Sequence, residues 1–323
     1  MSEQTPLVAP PKKRGRLIAI IAAIAVVVLA TIGIIVAVTT SNNANSNAAS
    51  GDDAITEGKG SPSDPVRIGV VGASDPYWDL YVDAAAEEGI SIELVDFTDY
   101  AQPNPALTEG DLDLNQFQHI IYLAQYNTSA GEDLTPIGST AIYPLGLYST
   151  QYESVEDIPE GATVAVPNDA SNLARSLLVL QAQGLVELQD GGSPFSTIDD
   201  VLPGSRVEVT TLEAALTPTS LPDVAAAIIN NDFVDDAGLS FDDALATDDP
   251  ADPSAQPYIN IFASRAEDAD NELYHRLVEI FQSSSDVTDG LVEVSGDTAV
   301  LTETPAEELQ ESLETVEAEL AQQ

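Results

Sequence analysis

The chain has 323 residues, 54 acidic side chains against 10 basic ones, a formal net charge of −44 and no cysteine. That length suits one two-lobed unit or two ordinary domains. Without cysteine, disulfides, thiolate metal sites, cysteine nucleophiles and a lipidated N-terminal cysteine are all excluded, and so acidic a surface repels nucleic acid and anionic headgroups, which excludes a DNA- or RNA-binding role.

The first 16 residues form a basic tail carrying Lys12, Lys13, Arg14 and Arg16. From Leu17 to Val38 there are 22 residues without a charge. As a helix that run measures about 33 Å, against a hydrocarbon core of about 30 Å. A cleaved signal peptide has a shorter apolar region of about 7–15 residues, and the small-residue stretch "NANSNAAS" begins several residues beyond the run. We therefore expect an uncleaved transmembrane signal anchor over residues 17–39. No basic residue follows until Lys59, so the N-terminus is expected in the cytoplasm and the remainder outside. Residues 40–65 are small, polar and aperiodic, a flexible linker with a reach of about 25–30 Å.

From Val66 onward short apolar runs alternate with helical patterns. "VRIGVVG" (66–72) reads as a buried strand, "YWDLYVDAAAEEG" (77–89) as a helix stopped by glycine, and "SIELVDF" (91–97) as the next strand. A short "ALTEGD" helix and the "LDLNQF" run follow. "LTPIGSTAIYPLGLYST" (134–150) is extended and long enough to pass between two lobes. The second series has a strand in "GATVAVPND" (161–169), an amphipathic helix over 172–184 and a strand over 205–213. Residues 221–238 read as a strand or a helix with a polar tip. After an acidic loop, "PYINIFASRAED" (257–268) reads as a return strand and 271–284 as its helix. Leu309, Leu313, Val316 and Leu320 recur at helical spacing, which predicts an amphipathic C-terminal helix packed on its own domain. The alternation predicts α/β lobes with mainly parallel sheets.

Motifs for catalysis are missing. His119 and His275 are far apart and neither lies in a zinc-binding pattern. The hydrolase elbow and the phosphate loop are absent, and "DVTDGLVEV" (286–294) lacks calcium-hand spacing. We expect no enzyme, no metal and no cofactor.

Three stretches carry binding chemistry. In "VPNDASNLARSLL", Asn172 and Arg175 share one face of a helix's first turn, beside its free amides. With Asn168 and Asp169 just ahead, they compose a receptor for a carboxylate; the alternative is an arginine in an ordinary salt bridge. In "NQFQHIIY", Phe117, His119 and Tyr122 suit a small amphipathic ligand, and the alternative is a histidine satisfied in the interior. Asn230 of "IINND" can donate to a carboxylate and accept from an ammonium, or simply sit at a loop tip.

Several blocks in order, "LVDFTDYAQPNPALTEGDLDLNQFQHIIYL", "TVAVPNDASNLARSLLVLQAQGLVEL", "LEAALTPTSLPDVAAAIIN" and "PYINIFASR", closely resemble the NlpA/MetQ family, the substrate-binding components of methionine-type ABC importers. The resemblance covers roughly residues 66–295. It implies an α/β, two-lobed type II periplasmic-binding-protein-like fold following the single N-terminal transmembrane helix. Lobe I is expected over 66–147 and 258–300, lobe II over 148–257 and the C-terminal helix over 301–323, with crossings near 144–150 and 255–260. Carried over by motif, Tyr100, Phe117, His119 and Tyr122 would line the first-lobe side of the cleft. Asn168, Asn172, Arg175 and Asn230 would come from the second lobe. Arg175 would grip the ligand α-carboxylate, Asn230 would help hold its backbone-like groups and the aromatics would flank a thioether.

The implied role is a membrane-tethered extracytoplasmic receptor for L-methionine or a related amino acid, delivering it to an ABC permease and its ATPase. The alternatives are a receptor for another amino acid or a methionine-containing dipeptide, and a sensory or interaction ectodomain without a transport role. Three departures from the family pattern stand out: a transmembrane run replaces the lipidated cysteine, Tyr77 and Trp78 are larger than their usual counterparts and are expected to cap or narrow the pocket, and Thr219 stands where arginine is expected.

Overall fold

A computed structural model describes residues 54–322. Among these no helix is long and apolar enough to cross a membrane; the expected anchor at 17–39 lies outside the described residues.

The first sheet is built from β1 (Val66–Val71), β2 (Ile92–Phe97), β3 (Leu114–His119), β4 (Thr135–Ser139) and β11 (Asn260–Ser264), in the order β2-β1-β3-β11-β4. The second is built from β6 (Gly146–Tyr148), β7 (Thr163–Pro167), β8 (Glu208–Leu212), β9 (Ala226–Ile229) and β10 (Ala246–Thr247), in the order β10-β6-β9-β7-β8. A small ribbon pairs β5 (Ala141–Ile142) with β12 (Val300–Leu301).

The sheets are mixed rather than mainly parallel, which corrects the sequence expectation. β1 runs parallel to β2 and β3, and β7 to β8 and β9. β11 is antiparallel to both β3 and β4, and β6 to β9 and β10. The cause is the route of the chain. Parallel neighbours need a crossover, usually a helix, whereas β6 and β11 enter their sheets directly from the other one. Residues 221–238, ambiguous in sequence, form β9 followed by short 3-10 turns.

The α-helices of six residues or more are α1 (Pro76–Glu87), α2 (Pro103–Thr108), α3 (Ile120–Ala130), α4 (Ala170–Ala182), α5 (Glu272–Ser283), α6 (Ser285–Val294) and α7 (Ala306–Leu320). One face of the first sheet is covered by α1, α5 and α6 around Trp78, Tyr81, Leu277 and Phe281. The other face is covered by α3 and α7 around Ile120, Leu123, Leu309 and Leu313. Gly138 of β4 permits the approach of α5, because a Cβ there would lie 2.2 Å from Val278 Cγ1. A separate core joins the second sheet to α4 through Val164, Val166, Leu177 and Leu180. A fourth apolar cluster draws on both sheets, with Tyr100 and Phe117 from one side and Ile229 and Phe233 from the other.

Candidate functional site

β3 passes directly into α3, and the junction is His119. Its backbone is extended (φ −103, ψ 168) and it occupies the N-cap position of the helix. The side chain faces inward because every residue of β3 is buried. Nδ1 accepts the Tyr122 amide at 3.2 Å, so a neutral ring carries its proton on Nε2. That Nε2 is buried and has no partner among the described residues. Burial foremost, with the Arg175 charge adding to it and the nearby Asn172 side chain opposing it, holds the imidazole pKa down at about 3. His119 is therefore a neutral donor aimed at an unfilled demand.

Phe117, two residues earlier on the strand, joins an aromatic box. Its ring lies 6.0 Å from Tyr100 and 5.7 Å from Tyr122 between centroids, and Tyr100 lies 5.1 Å from Phe233. Tyr122 donates its hydroxyl to the Tyr100 carbonyl at 3.0 Å. The Tyr100 hydroxyl donates to Asp232 Oδ2 at 2.7 Å, linking the loop after β2 to the loop after β9. Behind the box, Asn104, Asn115 and Gln118 form a closed buried amide network at 2.7–2.9 Å, which fixes β3 in place.

On the opposite wall, α4 begins at the N-cap Asp169, whose carboxylate accepts the Asn172 amide at 2.9 Å and the Asn172 side-chain nitrogen at 3.0 and 3.1 Å. This corrects the expectation of a helix end open to a ligand carboxylate: the amide is already taken by the protein's own anion. Asn172 Oδ1 accepts from Asn230 Nδ2 at 3.1 Å, so Asn172 orients Asn230. Asn230 Oδ1 is buried and has no partner among the described residues.

One turn on, Arg175 is 5 % exposed. Its Nε donates to Asp248 Oδ2 at 2.6 Å and its Nη2 to the Tyr143 carbonyl at 2.7 Å. Its guanidinium stacks over the Tyr258 ring at 4.3 Å from the centroid. Asp248 is itself anchored by the Leu145 amide at 2.8 Å. The salt-bridge alternative for Arg175 is thus realised, and within the described residues Nη1 makes no hydrogen bond. The pair is neutral overall, a setting for a ligand that is itself a zwitterion.

Seven of the eight residues selected from sequence line one small cavity: Tyr100, Phe117, His119, Tyr122, Asn172, Arg175 and Asn230. Asn168 does not; it is exposed on the turn before α4. Sequence reasoning missed Tyr143, Asp248 and Tyr258, which hold Arg175 from the chain crossings and the acidic loop. The Tyr258 hydroxyl is also buried without a partner among the described residues. Trp78 is fully buried in the first core and Tyr77 borders a neighbouring cavity, so neither narrows this one. Thr219 is exposed and donates to the Leu216 carbonyl at 2.9 Å. His275 is engaged by the Ala269 carbonyl at 2.7 Å.

The cavity measures about 20 Å³, room for a single water molecule. An amino acid therefore enters only when the two walls separate. Chemically, the walls offer one donor on His119, one acceptor on Asn230, a guanidinium edge and an aromatic box.

A family profile described as NlpA lipoprotein matches residues 66–300. The chain is 37% identical over 235 residues to the probable D-methionine-binding lipoprotein MetQ of Pasteurella multocida, covering 72% of this chain and 84% of the relative. Among solved structures, protein PG110 from Staphylococcus aureus superposes with a TM-score of 0.74 at 32% identity, covering 78% of this chain and 99% of that one. A nutrient-binding protein from Burkholderia cenocepacia bound to methionine superposes with a TM-score of 0.69 at 36% identity, covering 73% and 99%.

Proposed function

The chain belongs to the NlpA lipoprotein family, and from that premise we propose that it is the extracytoplasmic substrate-binding component of an ABC importer for L-methionine or a close analogue. The carrying observation is a complementary pair of unmet demands in one buried cleft, the Nε2 donor of His119 and the Oδ1 acceptor of Asn230. A free amino acid meets both: its carboxylate accepts from His119 and from the Arg175 edge, and its ammonium donates to Asn230. Tyr100, Phe117 and Tyr122 then flank the side chain, where a thioether gains about 0.3–1.5 kcal/mol from each sulfur–aromatic contact. Asn172 acts by orienting Asn230, while Asn168 remains at the rim. The role is capture and delivery to a permease and its ATPase, without covalent chemistry.

We take lobe I as 66–147 with 258–300, lobe II as 148–257 and the tail helix as 301–323. The two sheets and their separate cores support two lobes of this kind, with the first crossing moved to just before β6, because Gly146 and Leu147 pair with β9 and β10 of the second sheet. Relatives are named as lipoproteins, a tether built on cysteine, and these 323 residues contain none. We therefore assign membrane attachment to the apolar run at 17–39, with the binding unit on the outer side and the spacer, expected over 40–65, shortened to 40–53, because Ile55 packs on the first core and Lys59 pairs with Asp113 at 3.1 Å.

Two experiments test this reading. Mass spectrometry of small molecules released from the purified chain is expected to recover methionine or a close analogue; a sugar in repeated preparations overturns it. Arg175→Ala is expected to weaken methionine binding by roughly 2–5 kcal/mol, the cost of truncating one side of a buried charge contact. Calorimetric affinity unchanged from wild type removes Arg175 from its assigned role, and circular dichroism shows whether the variant keeps its fold.

A further inference from the structure

Beside the small cleft lies a second cavity of about 380 Å³. Tyr143 and Asn231 line both, and the Tyr100–Asp232 hydrogen bond stands between them. Its charged lining is entirely acidic: Asp75 lies at the N-cap of α1, Asp96 lies in β2, and Asp232, Asp235 and Asp236 follow β9. No basic side chain lines it. Its aromatic lining includes Tyr77, Phe97, Tyr143 and Phe233.

Two further observations distinguish this cavity from the general acidity of the surface. Tyr77 is 6 % exposed and Tyr143 9 % exposed, and neither hydroxyl makes a hydrogen bond within the described residues, although both side chains border the cavity. Asp75 occupies the N-cap position of α1 without making a side-chain cap bond, which leaves its carboxylate for the cavity. Among the described residues no group of carboxylates converges tightly enough to hold a metal ion. Dispersed carboxylates combined with aromatic faces suit instead a large, weakly hydrated organic cation, held by its charge and by the ring quadrupoles.

We propose that this cavity is an onium subsite, which takes an alkylated ammonium or sulfonium group between Asp75, Asp232 and the faces of Tyr77 and Tyr143. The cation comes either from a separate small molecule or from the side chain of a ligand whose amino-acid end lies in the adjoining cleft. The second source rests on the amino-acid reading above; the first does not. Burial, joined by repulsion from Asp235 and Asp96, pushes Asp75 up to about 6, and burial pushes Asp232 up to about 7 despite the Tyr100 hydrogen bond. A bound cation favours both ionised forms, so binding releases protons and tightens as pH rises from 5 to 8. Asp96, Asp235, Asp236, Tyr77 and Tyr143 are the other titratable groups around the cavity.

The test is isothermal titration calorimetry of the full chain in detergent at fixed ionic strength, with tetramethylammonium chloride against a sodium chloride control. Saturable one-to-one binding is expected, weakened at least tenfold by Asp75→Asn and about threefold by Tyr77→Phe, with L-methionine affinity within twofold of wild type in both variants. A parallel arm compares S-methyl-L-methionine with L-methionine. If the cation belongs to the cleft ligand, the sulfonium form binds more tightly and Asp75→Asn erases the preference. If it belongs to a separate molecule, tetramethylammonium and methionine bind together without competing. Heats no greater than the sodium control, together with no preference for the sulfonium form, overturn the proposal, as does cation binding equal in wild type and Asp75→Asn. Cation binding retained in a chain that ignores methionine supports the subsite and sinks the methionine reading.

Discussion

The two ring nitrogens of His119 have different partners, and that difference sets its behaviour. Nδ1 is committed to the Tyr122 amide, so the proton sits on Nε2 and the ring stays neutral down to its pKa of about 3. Methionine affinity is therefore expected to show no titration of His119 between pH 5 and 8, and nitrogen-15 spectra should show the Nε2–H tautomer throughout. An affinity step near pH 6.5 that disappears in His119→Gln contradicts this. The linkage to stability has a definite sign: the unfolded ring binds a proton below its ordinary value of 6.5 and the folded one does not until about 3. The stability associated with neutral His119 is fully present above pH 6.5 and is lost as pH falls towards 3. Urea titrations should find that His119→Gln loses less stability than wild type between pH 7 and pH 4. The sequence made the cluster around His119 legible because its members recur within a few residues. It did not reveal the partners of Arg175, since Asp248 is one aspartate among many in an acidic loop and only the folded chain brings it 2.6 Å from Nε.

Among the elements, α7 shows how far periodicity reaches. Its apolar spacing predicts an inward stripe, and Leu309, Leu313 and Val316 are indeed buried against α3 and β4. Asn127 of α3 reinforces the contact by donating to Glu317 Oε1 at 3.0 Å. Leu313 is 1 % exposed, so Leu313→Ala is expected to cost about 2–5 kcal/mol in chemical denaturation; a loss below 1 kcal/mol shows that the helix is dispensable to the core. Periodicity does less well where direction matters. It places a return strand within 257–268 but carries no information about strand polarity, so the antiparallel entry of β11 between β3 and β4 is hidden. Likewise the two aspartates and the glycine of α6 resemble an incomplete calcium pattern and obscure its apolar stripe of Val287 and Leu291. The N-cap of α4 was legible as a turn, but which atom satisfied the helix amides depended on Asp169 folding back over them.

Across the whole molecule, the α/β alternation and the order of the motifs pointed to the fold, while the mixed sheets and the links between the walls appeared only in three dimensions. One of those links joins the loop after β2 to the loop after β9: the Tyr100 hydroxyl on Asp232 Oδ2. The same bond helps close the cavity and lies on its boundary with the acidic one. A bond made only after the walls meet leaves the encounter rate unchanged and acts on departure, where affinity differences among related complexes mostly arise. Removing a hydrogen bond to a charged group costs about 1.5–3 kcal/mol. Tyr100→Phe is therefore expected, in stopped-flow measurements at pH 8, to speed methionine release by about tenfold or more while the association rate stays within twofold. An unchanged release rate breaks the link between this bond and retention. The consequence is one of time: a single tyrosine oxygen would set how long a captured molecule waits for the transporter, independently of how readily it is caught.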